Sequence, residues 1–144
     1  MHFDYIILGS GAAGLSLAHR MASDRYFDNK SIAIIDQDKK NRNDRTWCFW
    51  QKGKSKYDPI ITTSWDKLHF YSKTLDKSLD LEDYKYKMIK GIDFYNHVYA
   101  ILDDASNIDV IRDEVLSIEE LSDRVNIEGK KSKYSAPQIF KSYP

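Results

Sequence analysis

A glycine-rich turn near the start of the chain is the first group of residues that could do chemistry. Gly9, Gly11 and Gly14 fit the pattern G-x-G-x-x-G, in which the first glycine allows a tight turn and the second lets the backbone approach a pyrophosphate. The third lets a helix pack closely on a strand, and the N-terminus of that helix offers free N–H groups to phosphates. The spacing therefore predicts a dinucleotide-binding site.

An acidic residue completes this candidate site. Asp36 ends the second apolar run of the chain, where a carboxylate can accept hydrogen bonds from the hydroxyls of an adenosine ribose. A 2′-phosphate in that place would be repelled, so Asp36 favours FAD or NAD over NADP. The alternative is a glycine-rich turn with no ligand, and the order of strand, glycines, helix, strand and acid argues against it. The motif by itself does not distinguish FAD from NAD.

The elements that must hold these residues form a βαβ unit. Two apolar runs, residues 3–8 and 31–36, indicate buried strands, and the helical spacing of residues 11–27 joins them. Such a connection predicts parallel strands with a right-handed crossover. Residues 93–102 are predicted as a second helix with Asp93 as its N-cap, and residues 107–111 as a third strand.

These patterns predict an α/β fold, a three-layer Rossmann-like half-domain with its central parallel strands at residues 5–8, 32–36 and 109–111. Outside it, alternating residues predict strands at 65–71 and 79–88. Three short runs, residues 115–118, 124–128 and 133–136, predict a small antiparallel meander that turns at Gly129 and Lys130. A last run that resembles a strand covers residues 137–140.

The most unusual segment is NDRTWCFW, residues 43–50. Its residue types alone favour the anchoring of a core, which is what most tryptophans do. The phrase nevertheless closely resembles lycopene cyclases of the bacterial carotenoid pathway. The opening FDYIILGSGAAGLSLAHRM and the segment YKYKMIKGIDFY, residues 84–95, resemble the same family. The glycine motif is shared with many flavoproteins, whereas NDRTWCFW is specific, and the resemblance runs from Phe3 to about Phe140.

The resemblance implies an FAD domain of the glutathione-reductase type and the cyclisation of the ends of lycopene, or of another linear carotenoid, to β-ionone rings. This reaction has no net redox change: a proton adds to the polyene, the cation closes a ring and a proton leaves. The resemblance further implies that reduced FAD stabilises the cation, with NADPH or NADH as reductant. Gly9, Gly11, Gly14 and Asp36 would hold the adenosine diphosphate of FAD, and Arg45 would lie near the flavin.

Several features of the family have no counterpart in these 144 residues. Relatives are longer and carry a second flavin motif that usually contains Gly-Asp, a pair that does not occur here. Lys90 stands where many related flavoproteins have arginine, whose planar fork it lacks. We therefore expect residues 1–144 to be an N-terminal FAD/NAD(P)-binding region, truncated and inactive alone, with an unknown catalytic acid. The alternatives are a non-catalytic truncated product and another FAD-dependent oxidoreductase that acts on a lipid.

Composition and the other polar residues exclude several classes of function. Equal numbers of basic and acidic residues argue against a nucleic-acid partner. The lack of an apolar run of about 20 residues, of a signal peptide and of a second cysteine predicts a cytoplasmic protein, with a peripheral membrane contact left open. The histidines show no metal spacing, and Cys48 is expected to be a buried, inert thiol. Four acids are expected to be solvated: Asp103, Asp104, Glu119 and Glu120.

Overall fold

The computed structural model describes residues 1–141 of the chain. Among them it contains two α-helices, twelve strands and two short 3-10 helices, at Arg25–Phe27 and Asp58–Ile60. In chain order the helices and strands are β1 (Tyr5–Leu8), α1 (Ala12–Ala22), β2 (Ile32–Asp36), β3 (Thr46–Lys52), β4 (Thr63–Trp65), β5 (Lys67–Tyr71), β6 (Asp76–Asp80), β7 (Tyr84–Lys90), α2 (Gly91–Asp103), β8 (Ile108–Arg112), β9 (Val115–Glu120), β10 (Val125–Gly129), β11 (Lys133–Ala136) and β12 (Gln138–Lys141).

These elements divide between two compact units. The first unit combines Met1–Lys40 with Val98–Pro144, and the second is Asn41–His97. Neither of the two α-helices within residues 1–141 has the length and apolar character needed to cross a bilayer.

A four-stranded parallel sheet forms the centre of the first unit. Its strand order is β12-β1-β2-β8, with Tyr5 beside both Ile32 and Gln138, and Ile32 beside Ile108. The strands β1 and β2 are almost continuously apolar because both faces of a parallel sheet are covered. The predicted parallel strands at residues 5–8, 32–36 and 109–111 are therefore confirmed, and residues 137–140 supply most of a fourth.

Two different layers cover this sheet. On one face Ile6 and Leu8 belong to a buried cluster with Ile127 and Tyr134 of the antiparallel meander β11-β10-β9. Ile7 points to the other face, where its side chain lies next to Gly14 of α1. The structure thus confirms the three-layer arrangement and the small meander that the sequence predicts.

Both helices differ from their predicted bounds. α1 ends at Ala22 rather than at residue 27, because Ser23 turns back to the Arg20 carbonyl and the Asp24 carboxylate caps the following 3-10 helix. α2 begins at Gly91, so Asp93 lies in its first turn and the prediction that it is the N-cap is wrong. An acid in the first turn still interacts favourably with the helix dipole.

The second unit is built on a three-stranded antiparallel sheet with the order β3-β7-β4. Tyr86 of β7 pairs with Trp50 on one side and Trp65 on the other, and its ring centroid lies 4.7 Å and 5.8 Å from theirs. Such cross-strand aromatic contacts stabilise a sheet. The strand predicted at residues 65–71 is broken at Asp66 into β4 and β5. The strand predicted at 79–88 is broken by a turn at Glu82, which has a positive φ of 51°.

Candidate functional site

The glycine turn between β1 and α1 is held tightly against the second strand. Gly9 has a φ of +95°, a conformation that favours glycine, and its N–H donates to the Ile35 carbonyl at 2.9 Å. A Cβ added to Gly14 would collide with the Gly9 carbonyl oxygen and would crowd the Ile7 side chain at 3.2 Å. Glycine is therefore required at position 9 by the turn and at position 14 by the packing of the helix on the strand, as the sequence predicts.

Gly11 has no such packing reason to be glycine. Its φ of −78° and ψ of −170° are extended backbone that any residue adopts, and an added Cβ would meet no heavy atom within 4 Å beyond its chain neighbours. It is the N-cap of α1, and no side-chain hydrogen bond caps this helix. Bare backbone thus faces open space directly in front of a helix N-terminus, and these residues fit a pyrophosphate.

Asp36 is bonded to the glycine turn itself. Its Oδ2 accepts from the N–H of Ser10 at 2.6 Å and from the Ser10 hydroxyl at 2.7 Å, while its Oδ1 accepts from the N–H of Asp38 at 2.8 Å. Burial raises the pKa of the Asp36 carboxyl, but these donors outweigh it and hold that pKa below its ordinary value. The group is therefore a carboxylate at neutral pH.

The hydrogen bonds of Asp36 leave limited capacity for a ligand. A carboxylate has about four acceptor positions, two on each oxygen. Ser10 fills both on Oδ2, and Asp38 takes one on Oδ1. One position on Oδ1 is left, enough for a single ribose hydroxyl. The sequence interpretation missed Ser10, whose only signal was a hydroxyl residue between the first two glycines of the motif.

The structure brings four of the five predicted site residues together in the first unit: Gly9, Gly11, Gly14 and Asp36. Arg45 belongs to the second unit, where it precedes β3 and is exposed. There its carbonyl accepts the Gly91 N–H at 2.7 Å, and a Cβ on Gly91 would lie only 2.9 Å from the Arg45 oxygen. Its role near a flavin stays a prediction.

The NDRTWCFW segment contacts the start of α2. Asn43 Oδ1 accepts the Ile92 N–H at 3.3 Å, and Asp44 Oδ1 accepts the Tyr95 hydroxyl at 2.8 Å. The Trp47 ring makes an edge contact with Tyr95 at 5.8 Å. Two N–H groups that have no partner within α2 are therefore satisfied by this segment, that of Ile92 by Asn43 and that of Gly91 by the Arg45 carbonyl. The Trp47 side chain therefore anchors the segment within this unit, which is the role that its residue type alone favours.

Cys48 corrects one expectation about the same segment. It was expected to be buried, but it is exposed, because side chains alternate along β3 and Cys48 lies on the same face as the exposed Trp50. A hydrogen bond with Cys48 raises the pKa of Tyr86.

Lys90 is exposed, and its N–H donates to the Thr62 hydroxyl at 3.4 Å. The four acids expected to be solvated are all exposed: Asp103, Asp104, Glu119 and Glu120.

Comparison with known proteins gives a family and a fold. The sequence model of the family described as "Lycopene cyclase protein" matches residues 4–144. Among solved structures the chain is similar to a p-nitrophenol 4-monooxygenase from Pseudomonas putida, with a TM-score of 0.75, 12% identity, and coverage of 96% of this chain and 40% of that one. It is also similar to a thioredoxin reductase from Streptococcus pyogenes, with a TM-score of 0.57, 20% identity, and coverage of 97% and 34%.

A probable FAD-dependent monooxygenase from Pseudomonas aeruginosa has a TM-score of 0.68 and 11% identity, and the match covers 96% of this chain and 42% of that one. A search of the curated proteins gives no match. The chain thus spans between about a third and two fifths of the length of these solved relatives. At such identities the similarity establishes the fold, a Rossmann-like FAD/NAD(P)-binding architecture.

Proposed function

Because the chain belongs to the lycopene cyclase family, we propose that it supplies the adenine-dinucleotide-binding part of a flavin-dependent lycopene β-cyclase. The observation that carries this proposal is the family match over residues 4–144, nearly the whole chain. The proposed substrate is lycopene or another linear carotenoid. The proposed cofactor is FAD in its reduced form, with NADH or NADPH as the reductant.

The geometry of the first unit supports the cofactor part of this proposal. The open backbone at Gly11 and the N-terminus of α1 would hold the pyrophosphate, and the last acceptor position of Asp36 would receive a ribose hydroxyl. The same carboxylate would repel a 2′-phosphate, so FAD or NADH suits the site better than NADPH. Reduced flavin, when bound, would supply negative charge that stabilises a developing carbocation on the polyene.

Four acids within residues 1–141 are poor candidates for the proton donor of a cyclase. A general acid must be protonated near neutral pH, which requires a raised pKa. The pKa is lowered for four carboxyls, which are therefore poor candidates: Asp4, Asp36, Asp58 and Asp113. We therefore expect residues 1–144, expressed alone, to produce no cyclic carotene in bacteria that accumulate lycopene.

The decisive test of the whole activity is to express these residues as part of a full-length cyclase of the family in such bacteria, beside residues 1–144 alone, and to separate the carotenes by chromatography. We expect monocyclic or bicyclic products from the full-length enzyme, and we expect Gly11→Val in it to abolish them by blocking the pyrophosphate. An oxygenated lipid in place of a cyclic carotene would overturn the proposal in favour of another FAD-dependent oxidoreductase acting on a lipid. A folded, soluble product without either activity would favour the non-catalytic alternative.

A further inference from the structure

Ser10 is a fully buried polar residue inside the glycine turn. Serine is more often exposed to solvent than buried, so its burial here needs a physical reason. Its two neighbours are glycines for reasons of backbone geometry, the positive φ of Gly9 and the open space at Gly11. Neither of these requirements involves a hydroxyl group. The Ser10 side chain therefore has a role of its own.

The hydroxyl of Ser10 fixes the orientation of the Asp36 carboxylate. Both the N–H and the hydroxyl of Ser10 donate to the same oxygen, Oδ2, at 2.6 Å and 2.7 Å. Two charge-assisted bonds to one oxygen oppose rotation of the carboxylate about its Cβ–Cγ bond, because rotation would break both. The Asp38 N–H donates to the other oxygen, Oδ1, at 2.8 Å. Oδ1 is therefore the oxygen that can receive a ligand, with one acceptor position left.

We propose that Ser10 is a positioning residue, whose hydroxyl holds Asp36 so that the site recognises one hydroxyl of the adenosine ribose and not both. The inference rests on the proposed binding of an adenine dinucleotide and specifies which part of that ligand the site discriminates. A ribose carries adjacent 2′ and 3′ hydroxyls, and a carboxylate with both oxygens free can accept one on each. Because Ser10 fills Oδ2, one hydroxyl bonds to Oδ1 and the other is left to water.

A second serine–aspartate pair in the same unit provides a matched control. The N–H and the hydroxyl of Ser31 both donate to Oδ2 of Asp4, at 2.8 Å and 2.9 Å, which repeats the bonding of Ser10 with Asp36. Ser31 precedes β2 and Asp36 ends it, so the two pairs lie roughly 16 Å apart at about 3.3 Å per residue. Ser31→Ala therefore removes the same kind of hydrogen bond at the opposite edge of the parallel sheet.

Calorimetric titration of the purified 144-residue chain with ADP, 2′-deoxy-ADP and 3′-deoxy-ADP tests the inference. We expect one deoxy analogue to bind about tenfold more weakly than ADP and the other within about twofold, because the bond at stake is to a charged group. Ser10→Ala should reduce the tenfold ratio to about threefold or less, whereas Ser31→Ala should leave it unchanged. A general loosening of the fold would weaken all three nucleotides alike and would not move the ratio. An unchanged ratio in Ser10→Ala, or an equal fall in Ser31→Ala, would overturn the inference.

A double variant shows whether Ser10 acts through Asp36. Asp36→Ala should bring both ratios close to one, and adding Ser10→Ala should then weaken ADP no further, because the carboxylate that Ser10 holds is gone. A further loss in the double variant would mean that Ser10 acts on the turn or on the ligand directly, and the positioning role would be wrong. If ADP binds but both deoxy analogues are weakened equally, this inference alone is refuted. If the unchanged chain binds no ADP, the proposed nucleotide site is refuted with it.

Discussion

Replacing two glycines of the same motif by alanine should affect two different properties of the protein. At Gly11 the structure predicts almost no change in stability, because the backbone is extended and the added Cβ meets no neighbouring atom. Exchanging a glycine for alanine at an N-cap lowers the free energy of unfolding by about 0.5–1 kcal/mol. The lower conformational entropy of the unfolded chain raises it by about 0.4–1 kcal/mol. The midpoint of thermal unfolding should therefore stay within about 2 °C of the original.

At Gly14 the expected change in stability is large. The added Cβ would collide with the Gly9 carbonyl, so the helix must move away from the strand. Overpacking of this severity costs about 3 kcal/mol, and the better helix propensity of alanine offsets about 1 kcal/mol of it. The net loss of about 2 kcal/mol should lower the unfolding midpoint by about 4–8 °C.

Binding of FAD should show the opposite order of effects. In Gly11→Ala the Cβ occupies the place where a phosphate would approach the backbone, so we expect affinity for FAD to fall at least about tenfold. The measurement is a titration of each purified variant with FAD, followed by flavin fluorescence, next to its thermal unfolding curve. Full affinity in Gly11→Ala would refute the pyrophosphate assignment. A loss of stability in Gly11→Ala equal to that of Gly14→Ala would refute the packing argument.

Three further predictions concern hydrogen bonds. The lowered pKa of Asp36 stabilises the fold above the ordinary pKa of about 4, and this contribution is lost as pH falls through the lower, folded value. Asp36→Asn should therefore flatten the acid limb of a stability–pH curve, and an unchanged limb would contradict the assignment. Asn43→Ala should cost about 1 kcal/mol in urea unfolding by removing a cap of α2, and no cost would show the 3.3 Å bond to be dispensable. Burial and the bond to Asp113 raise the pKa of Tyr134 to about 12, so its contribution is present below pH 10 and lost as pH rises through the folded pKa. Tyr134→Phe should cost about 1.5–3 kcal/mol at neutral pH and weaken the dependence between pH 10 and 12, and spectrophotometric titration with unfolding curves checks both.

Local patterns were sufficient for the parts of the fold that depend on near neighbours. The apolar runs that became β1 and β2 are typical of strands in a parallel sheet covered on both faces, and the glycines between them specify the turn. The meander followed from alternation and its turn residues in the same way. Its register, and the pairing of β12 beside β1, required the folded chain, because a strand sequence does not say which edge it joins.

The second unit was harder to predict because its strands are largely exposed to solvent. Alternation ran through residues 65–71 and 79–88 without showing that Asp66 and Glu82 interrupt it. The left-handed backbone conformation of Glu82 is imposed by the turn that contains it, because glutamate by itself does not favour a positive φ. The exposure of Cys48 likewise depends on which face of β3 is covered in the folded unit.

The amino-acid sequence alone determined the family, the dinucleotide motif and the acid at the end of β2, because these are encoded by residue types at fixed, short spacings. Only the tertiary structure decided which residues contact each other and which are open to a ligand. It bonded Asp36 to Ser10, left Gly11 open where Gly14 is enclosed, and set Asn43 at the start of α2. Such contacts join residues far apart in the chain, and their geometry is fixed only when the packing of helices and strands brings the partner atoms within bonding distance.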